Sequence, residues 1–286
     1  MDSDWTYNPK IEIIMKIIKK IFLIQIILML LSCNNQNESK NYYNSGITKF
    51  ELSKYEEALI DFNYAIELDS NFIAALYKRG NTKIRLGNYL GAIQDYDKVI
   101  KLNPKDTNAF FQRGFSKGVL LDNAGSIQDL TKAIELNPNY SLAYSNRGNA
   151  KSITGDLKGA MQDYNQAIRL DKSLVNAYRS RGYIKGEFGD YRGAILDYNS
   201  ALQLNPNDAE SYFHRGRSYT ELKFINYAIQ DFSKVIDLNP KHSKAYLIRG
   251  SLKLYIGDKN GACIDWYNAA ELGDIKASQF IMKHCY

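Results

Sequence analysis

Gly46, Gly80, Gly114, Gly148, Gly182, Gly216 and Gly250 stand 34 residues apart without a slip. So strict a period means that one structural unit is copied end to end, each copy burying its apolar face against its neighbours. Counted from seven residues before each glycine, the seven copies span residues 39–72, 73–106, 107–140, 141–174, 175–208, 209–242 and 243–276. Nothing resembling a second domain is left over.

Within a copy the apolar residues recur at intervals of three and four. In the fifth they are Ala177 and Tyr178, then Ala194, Ile195, Tyr198, Ala201, Leu202 and Leu204. That spacing predicts two amphipathic helices. Gly189-Asp190 between them ends one helix and starts the next, and Asn205-Pro206 ends the second. Each copy is therefore expected to be a helical hairpin, and the chain all-α.

Over residues 39–276 the chain resembles the tetratricopeptide repeat (TPR) family. That family places a large residue at unit position 4, Gly or Ala at 8, Ala at 20, an aromatic at 24, Ala at 27 and Pro at 32. Tyr144, Gly148, Ala160, Tyr164 and Ala167 match, as do Pro104, Pro138, Pro206 and Pro240 in other copies. Ser126, Lys172, Leu121-Asp122 and Lys223-Phe224 depart from it, so the third and sixth turns are expected to be looser. The resemblance implies a right-handed α-solenoid of seven TPR hairpins. "GDIKASQFIMKHCY" then continues the helical spacing through Ile275, Ala277, Phe280 and Ile281, predicting a capping helix that ends within 277–286.

Charges sit where the family usually has apolar or aromatic residues. Position 7 holds Arg79, Arg113, Arg147, Arg181, Arg215 and Arg249; position 11 holds Lys49, Lys83, Lys117, Lys151, Lys185 and Lys253, with Tyr219 the exception. Position 23 is always aspartate: Asp61, Asp95, Asp129, Asp163, Asp197, Asp231 and Asp265. Residues equidistant from a hairpin turn lie at one height, and Gly155 is the midpoint between Arg147 and Asp163. Lys172 is likewise the midpoint between Asp163 and Arg181. A ladder of alternating Asp and Arg is therefore expected along the repeats, with the position-11 lysines reaching out toward water. Its expected role is register rather than catalysis, since a catalytic residue need not repeat in every copy.

The N-terminus has the build of an export address. "MKIIKKIFLIQIILMLLSC", residues 15–33, has a basic start at Lys16, Lys19 and Lys20, an apolar stretch over 21–31, and Ser32 before Cys33. Such a stretch is short of the ~20 residues a spanning helix needs. Leu30-Leu31-Ser32-Cys33 resembles the lipobox of bacterial lipoproteins, with Leu31 where a smaller residue is preferred. The resemblance implies acylation of Cys33 and a membrane-anchored lipoprotein of the cell envelope, on the periplasmic or surface side of the outer membrane. Residues 1–14 are then an upstream extension, 15–32 a signal peptide, and 33–38 the lipidated cysteine and a polar tether.

Lys and Arg, 37 in all, are interleaved with 31 Asp and Glu, for a net charge of +6, and no concentrated basic face for nucleic acid results. His214, His242 and His284 belong to no HExxH or metal-ligand pair and read as surface residues; no phosphate-binding glycine motif occurs. No metal, no cofactor and no catalytic residue is expected. Cys263 and Cys285 flank Gly273 at similar distances; an oxidising compartment would allow a disulfide, and two separate buried thiols are the alternative.

In TPR folds the first helices of successive copies line a concave groove through positions 2, 5, 6, 9, 12 and 13. Here that stripe varies: Tyr77, Lys78, Asn81; Phe111, Gln112, Phe115; Asn146, Asn149; Arg179, Tyr183; Phe213, His214, Arg217. Aromatics, amides and arginines suit a peptide or protein partner. The family's carboxylate-clamp arrangement of Lys and Asn is not reproduced. The expected function is a lipid-anchored scaffold binding a partner through this groove. The alternatives are an envelope glycan- or peptide-processing enzyme and a self-associating solenoid.

Overall fold

A computed structural model describes the backbone of residues 9–286, and side chains at 15, 16, 18–23, 25 and from 35 onward. The start of the upstream extension, the close of the apolar stretch and the Cys33 side chain lie outside the described residues.

The chain divides into two compact units, residues 1–122 and 123–286. The first contains α1 (Pro9–Glu51), α2 (Tyr55–Leu68), α3 (Ile73–Arg85), α4 (Tyr89–Leu102) and α5 (Thr107–Val119). The second contains α6 (Asn123–Leu136), α7 (Ser141–Ile153), α8 (Leu157–Leu170), α9 (Val175–Glu187) and α10 (Tyr191–Leu204). It continues through α11 (Ala209–Glu221), α12 (Ile225–Leu238), α13 (Ser243–Tyr255), α14 (Lys259–Glu271) and α15 (Ile275–His284). Among the described residues all regular structure is helical, and within each unit the helices stack as the antiparallel hairpins of a TPR-like solenoid. The two helices of the third copy, α5 and α6, fall in different units.

Hairpin pairing follows from shape. A Cβ at Gly148 would meet the buried Tyr164 ring at 2.8 Å, so the glycine admits the aromatic of the facing helix. Ala143, Ala160 and Ala167 are fully buried around that contact, which lets adjacent backbones approach closely.

The turns that lack glycine are not looser. Leu121 (φ 64°) and Lys223 (φ 61°) adopt the left-handed backbone that Gly155 takes at φ 88°. Leu121 and Asp122 donate to the Gly118 and Lys117 carbonyls at 3.0 and 2.9 Å, as Gly155 and Asp156 donate to Ser152 and Lys151 at 3.2 and 2.9 Å. At Lys223 the packing of α11 on α12 imposes the turn and the side chain accepts the strain.

Inside five of the hairpins Arg and Asp pair as two-pronged forks; in the first, Ser45 takes the place of the arginine and donates to Asp61 Oδ2 at 2.6 Å. Arg181 donates from Nε and Nη2 to Asp197 Oδ2 and Oδ1 at 2.9 and 2.6 Å, and its guanidinium lies 5.7 Å from the Tyr178 ring centroid. The same fork joins Arg79 to Asp95, Arg147 to Asp163, Arg215 to Asp231 and Arg249 to Asp265. Arg113 and Asp129 fall in different units.

Two expectations about this ladder are corrected. The rung from Asp163 to Arg181 does not form; Arg181 Nη1 instead donates to Asn165 Oδ1 at 2.8 Å, two residues beyond the aspartate. Arg79, Arg147, Arg215 and Arg249 reach Asn63, Thr131, Asn199 and Ser233 in the same way, and Arg113 reaches Asp97. Both of the Asp163 oxygens are already taken within its own hairpin, so the third donor takes the next acceptor along. Nor do the lysines reach for water: Lys49, Lys83, Lys151, Lys185 and Lys253 lie 2.7–2.9 Å from the aspartate of their hairpin. Four residues after the arginine, or after Ser45 in the first hairpin, each lysine points from the same helical face at the same carboxylate.

At the end of the second unit α15 packs on α14. Phe280 stacks on the buried Trp266 at 5.2 Å, and Ala277 and Ile281 are buried, but Ile275, expected in this contact, is exposed. Cys263 and Cys285 form a disulfide with Cα atoms 5.8 Å apart.

At the other terminus residues 35–38, read as a tether, continue helix α1 with exposed side chains; Ser39 is buried and donates to the Ala65 carbonyl at 2.7 Å. Met15, Ile18, Ile21, Phe22 and Leu23 on α1 are exposed. Among the described residues no helix is long and apolar enough to cross a membrane.

Candidate functional site

The residues expected to line the groove divide into three groups. Phe111 and Phe213 are packing residues, 8% and 9% exposed; Phe213 belongs to a core with Phe232 and Val235. Phe213, at position 5 of α11, turns toward the start of α13, its ring centroid 4.8 Å from that of His242.

A second group is engaged within the fold. Asn81 and Asn149 accept from the Tyr96 and Tyr164 hydroxyls, each at 2.7 Å. Burial pushes the Tyr164 hydroxyl up to about 12, so it stays a donor, and Asn149 offers a ligand its amide nitrogen. Arg179 donates to the buried Asp208 at 2.7 Å, so the carboxylate it was expected to take from a ligand is supplied internally. Asn146 donates to the Leu142 carbonyl of its own helix at 2.8 Å, and Lys78 lies 5.7 Å from the Phe50 ring centroid.

The third group is open. In the first unit Asn81, Gln112 and Phe115, with Phe50 and Tyr89, line a cavity of about 600 Å³, while Tyr77 packs on Tyr96, its hydroxyl raised by burial. In the second unit α7, α9 and α11 present two adjoining cavities of about 500 and 240 Å³, and Tyr183 and His214 line both. Arg179 and Asn149 border the larger. Arg217 borders the smaller with Glu187 and Glu221; it is exposed and makes no ion pair among the described residues.

His214 is not a surface residue. Its ring is about four-fifths buried, edge-on to Tyr183 at 5.4 Å and stacked on Tyr198 at 6.0 Å. Burial lowers its pKa, Arg217 and Arg179 add to that effect, and Glu210, with a carboxylate oxygen 3.6 Å away, opposes it. The ring is a neutral hydrogen-bonding group at neutral pH.

Sequence reasoning missed Ser152, Ile153, Ser180 and Glu210 in the larger cavity. All four occupy stripe positions, so the helical spacing pointed to them; selecting aromatics, amides and arginines passed them over. Among the described residues no three His, Cys, Asp or Glu side chains come together as a metal site.

Tetratricopeptide-repeat family models match residues 39–72, 73–106, 130–162, 187–223 and 209–242. The chain carries tetratricopeptide repeats. A TPR protein from Parabacteroides merdae is similar at TM-score 0.63 and 18% identity, over 87% of this chain and 100% of that one. YrrB, described as a TPR protein with an unusual peptide-binding site, gives TM-score 0.58 at 20% identity, over 66% of this chain and 97% of its own. MamA from Desulfovibrio magneticus gives 0.56 at 22%, over 60% and 97%. At these identities the likeness is one of fold. No curated protein matches the chain's sequence. In TPR terms, the two adjoining cavities lie along the first helices of three successive repeats.

Proposed function

We propose that this chain is a lipid-anchored TPR scaffold of the cell envelope that holds a peptide or protein partner along α7, α9 and α11. The observation that carries this reading is the pair of adjoining cavities that share Tyr183 and His214. Asn149 and Ser180 offer polar groups at one, a free Arg217 borders the other, and aromatic area lies between them. An extended segment needs this mixture: partners for its amides and flat apolar surface for its side chains. The export-like sequence at 15–33 and the exposed apolar residues of α1 support the anchoring.

The test uses side chains that the fold does not need. Tyr183→Ala with Arg217→Glu in the full chain is expected to abolish capture of the partner from native membranes while helicity and melting temperature stay near wild type. Undiminished capture contradicts the groove assignment. Cys33→Ser should shift the protein out of the membrane pellet, and an unmodified residue 15 at the native N-terminus would contradict the anchoring.

A further inference from the structure

A separate cleft of about 410 Å³ lies at the end of the second unit, where α13 faces α15. Its walls are Ile225, Leu247, Ile248, Leu252 and Phe280, with the ring of the exposed Tyr255. Two cations border it, Lys223 and Lys276; both are exposed, and neither has an ion-pair partner among the described residues. No carboxylate lines the cleft.

The hydroxyl protons of its threonine and serine are already used. Thr220 Oγ1 donates to the Gly216 carbonyl at 2.9 Å and Ser251 Oγ to the Leu247 carbonyl at 3.0 Å, each within its own helix. A peptide laid here would find few partners for its amides along Leu247, Ile248, Leu252 and Phe280, which is unfavourable. This contrasts with the cavities along α7, α9 and α11, where Asn149 and Ser180 supply such partners. The occupant that fits is apolar along its length and negatively charged at one end.

We propose that the cleft between α13 and α15 binds a long-chain fatty acid, its acyl chain along Leu247, Leu252 and Phe280 and its carboxylate between Lys223 and Lys276. The volume lies in the range of small-molecule sites, and an apolar wall with few charged groups is their usual composition. The site shares no lining residue with the groove proposed for the partner, so either assignment can fail without the other.

The test is photolabelling of the full chain in phosphatidylcholine nanodiscs with a diazirine-bearing hexadecanoic acid, read by peptide mass spectrometry. Label is expected within 247–255 and 276–280, competed by excess palmitate and not by hexadecanol. Lys223→Gln with Lys276→Gln should lower it at least ~10-fold, since the charge pair is what selects the acid. Ser251→Phe, which fills the cleft, should abolish it with the circular dichroism spectrum unchanged. Absence of label at these segments, equal competition by hexadecanol, label undiminished in the double glutamine variant, or competition by an apolar decapeptide would each overturn the assignment.

Discussion

Lys151 Nζ lies 2.8 Å from Asp163 Oδ2, on a carboxylate that Arg147 also grips through both oxygens. One buried anion thus holds two cations from a single helical face, and removing the anion strands both. Asp163→Ala is expected to cost ~3–5 kcal/mol, against ~1 kcal/mol for Lys151→Met, whose ammonium is the more solvated partner. Repeat arrays need not unfold in one step, so hydrogen exchange across α7 and α8 is the measurement. Equal effects of the two substitutions would contradict the shared-carboxylate arrangement.

The sixth hairpin lacks the lysine, and its aspartate differs accordingly. Burial raises the Asp231 carboxyl above its ordinary 3.8, and Arg215 only partly offsets this. A carboxyl raised in the folded state contributes most to stability below its unfolded value, and that contribution is lost as pH rises through the folded one. Tyr219→Lys supplies the second cation and should lower the Asp231 pKa. The stability of the variant relative to wild type is therefore expected to increase by about 1 kcal/mol from pH 3 to pH 7, whatever packing the tyrosine provided. A pH-independent difference would contradict this.

Leu121 is 75% exposed at its left-handed turn, so replacing it removes strain and little else. Leu121→Gly is expected to stabilise the chain by about 1 kcal/mol, a rise of a few degrees in melting temperature. Gly155→Ala should cost a similar amount, because a Cβ there meets nothing within 4 Å and only the backbone is strained.

The Cys263–Cys285 bridge closes a loop across 22 residues and ties α15 to the last hairpin. Cys285→Ser is expected to cost about 3 kcal/mol, felt chiefly as loss of exchange protection in α15. Two alkylatable thiols in the unreduced protein would remove the basis for this.

The Gly46-to-Gly250 period was enough to place the hairpins and to pair Arg147 with Asp163, because identical neighbours enforce identical contacts. The partners of Lys151 and of Arg181 Nη1 were less visible. Equidistance from a turn sets the height of a residue, whereas a side chain several bonds long takes whichever acceptor remains. Even so, an Arg and a Lys four apart, both opposite one Asp, were a readable sign of shared pairing. In the groove, spacing identified the stripe but could not tell that Phe213 turns into packing, or that Asp208 holds Arg179, since those depend on how one hairpin meets the next. The strain at Lys223 was hidden for a related reason: residue identity suggested a different turn, and the packing of α11 on α12 overrode it.

The groove of α7, α9 and α11 is the surface proposed to meet the partner. A photo-crosslinking amino acid placed at Tyr183, 39% exposed, in the full chain in its native cells tests this directly, with Leu196 on α10, 66% exposed, as the reference position. The groove assignment predicts a discrete adduct from position 183 and none from 196; an adduct from 196 with none from 183 would contradict it.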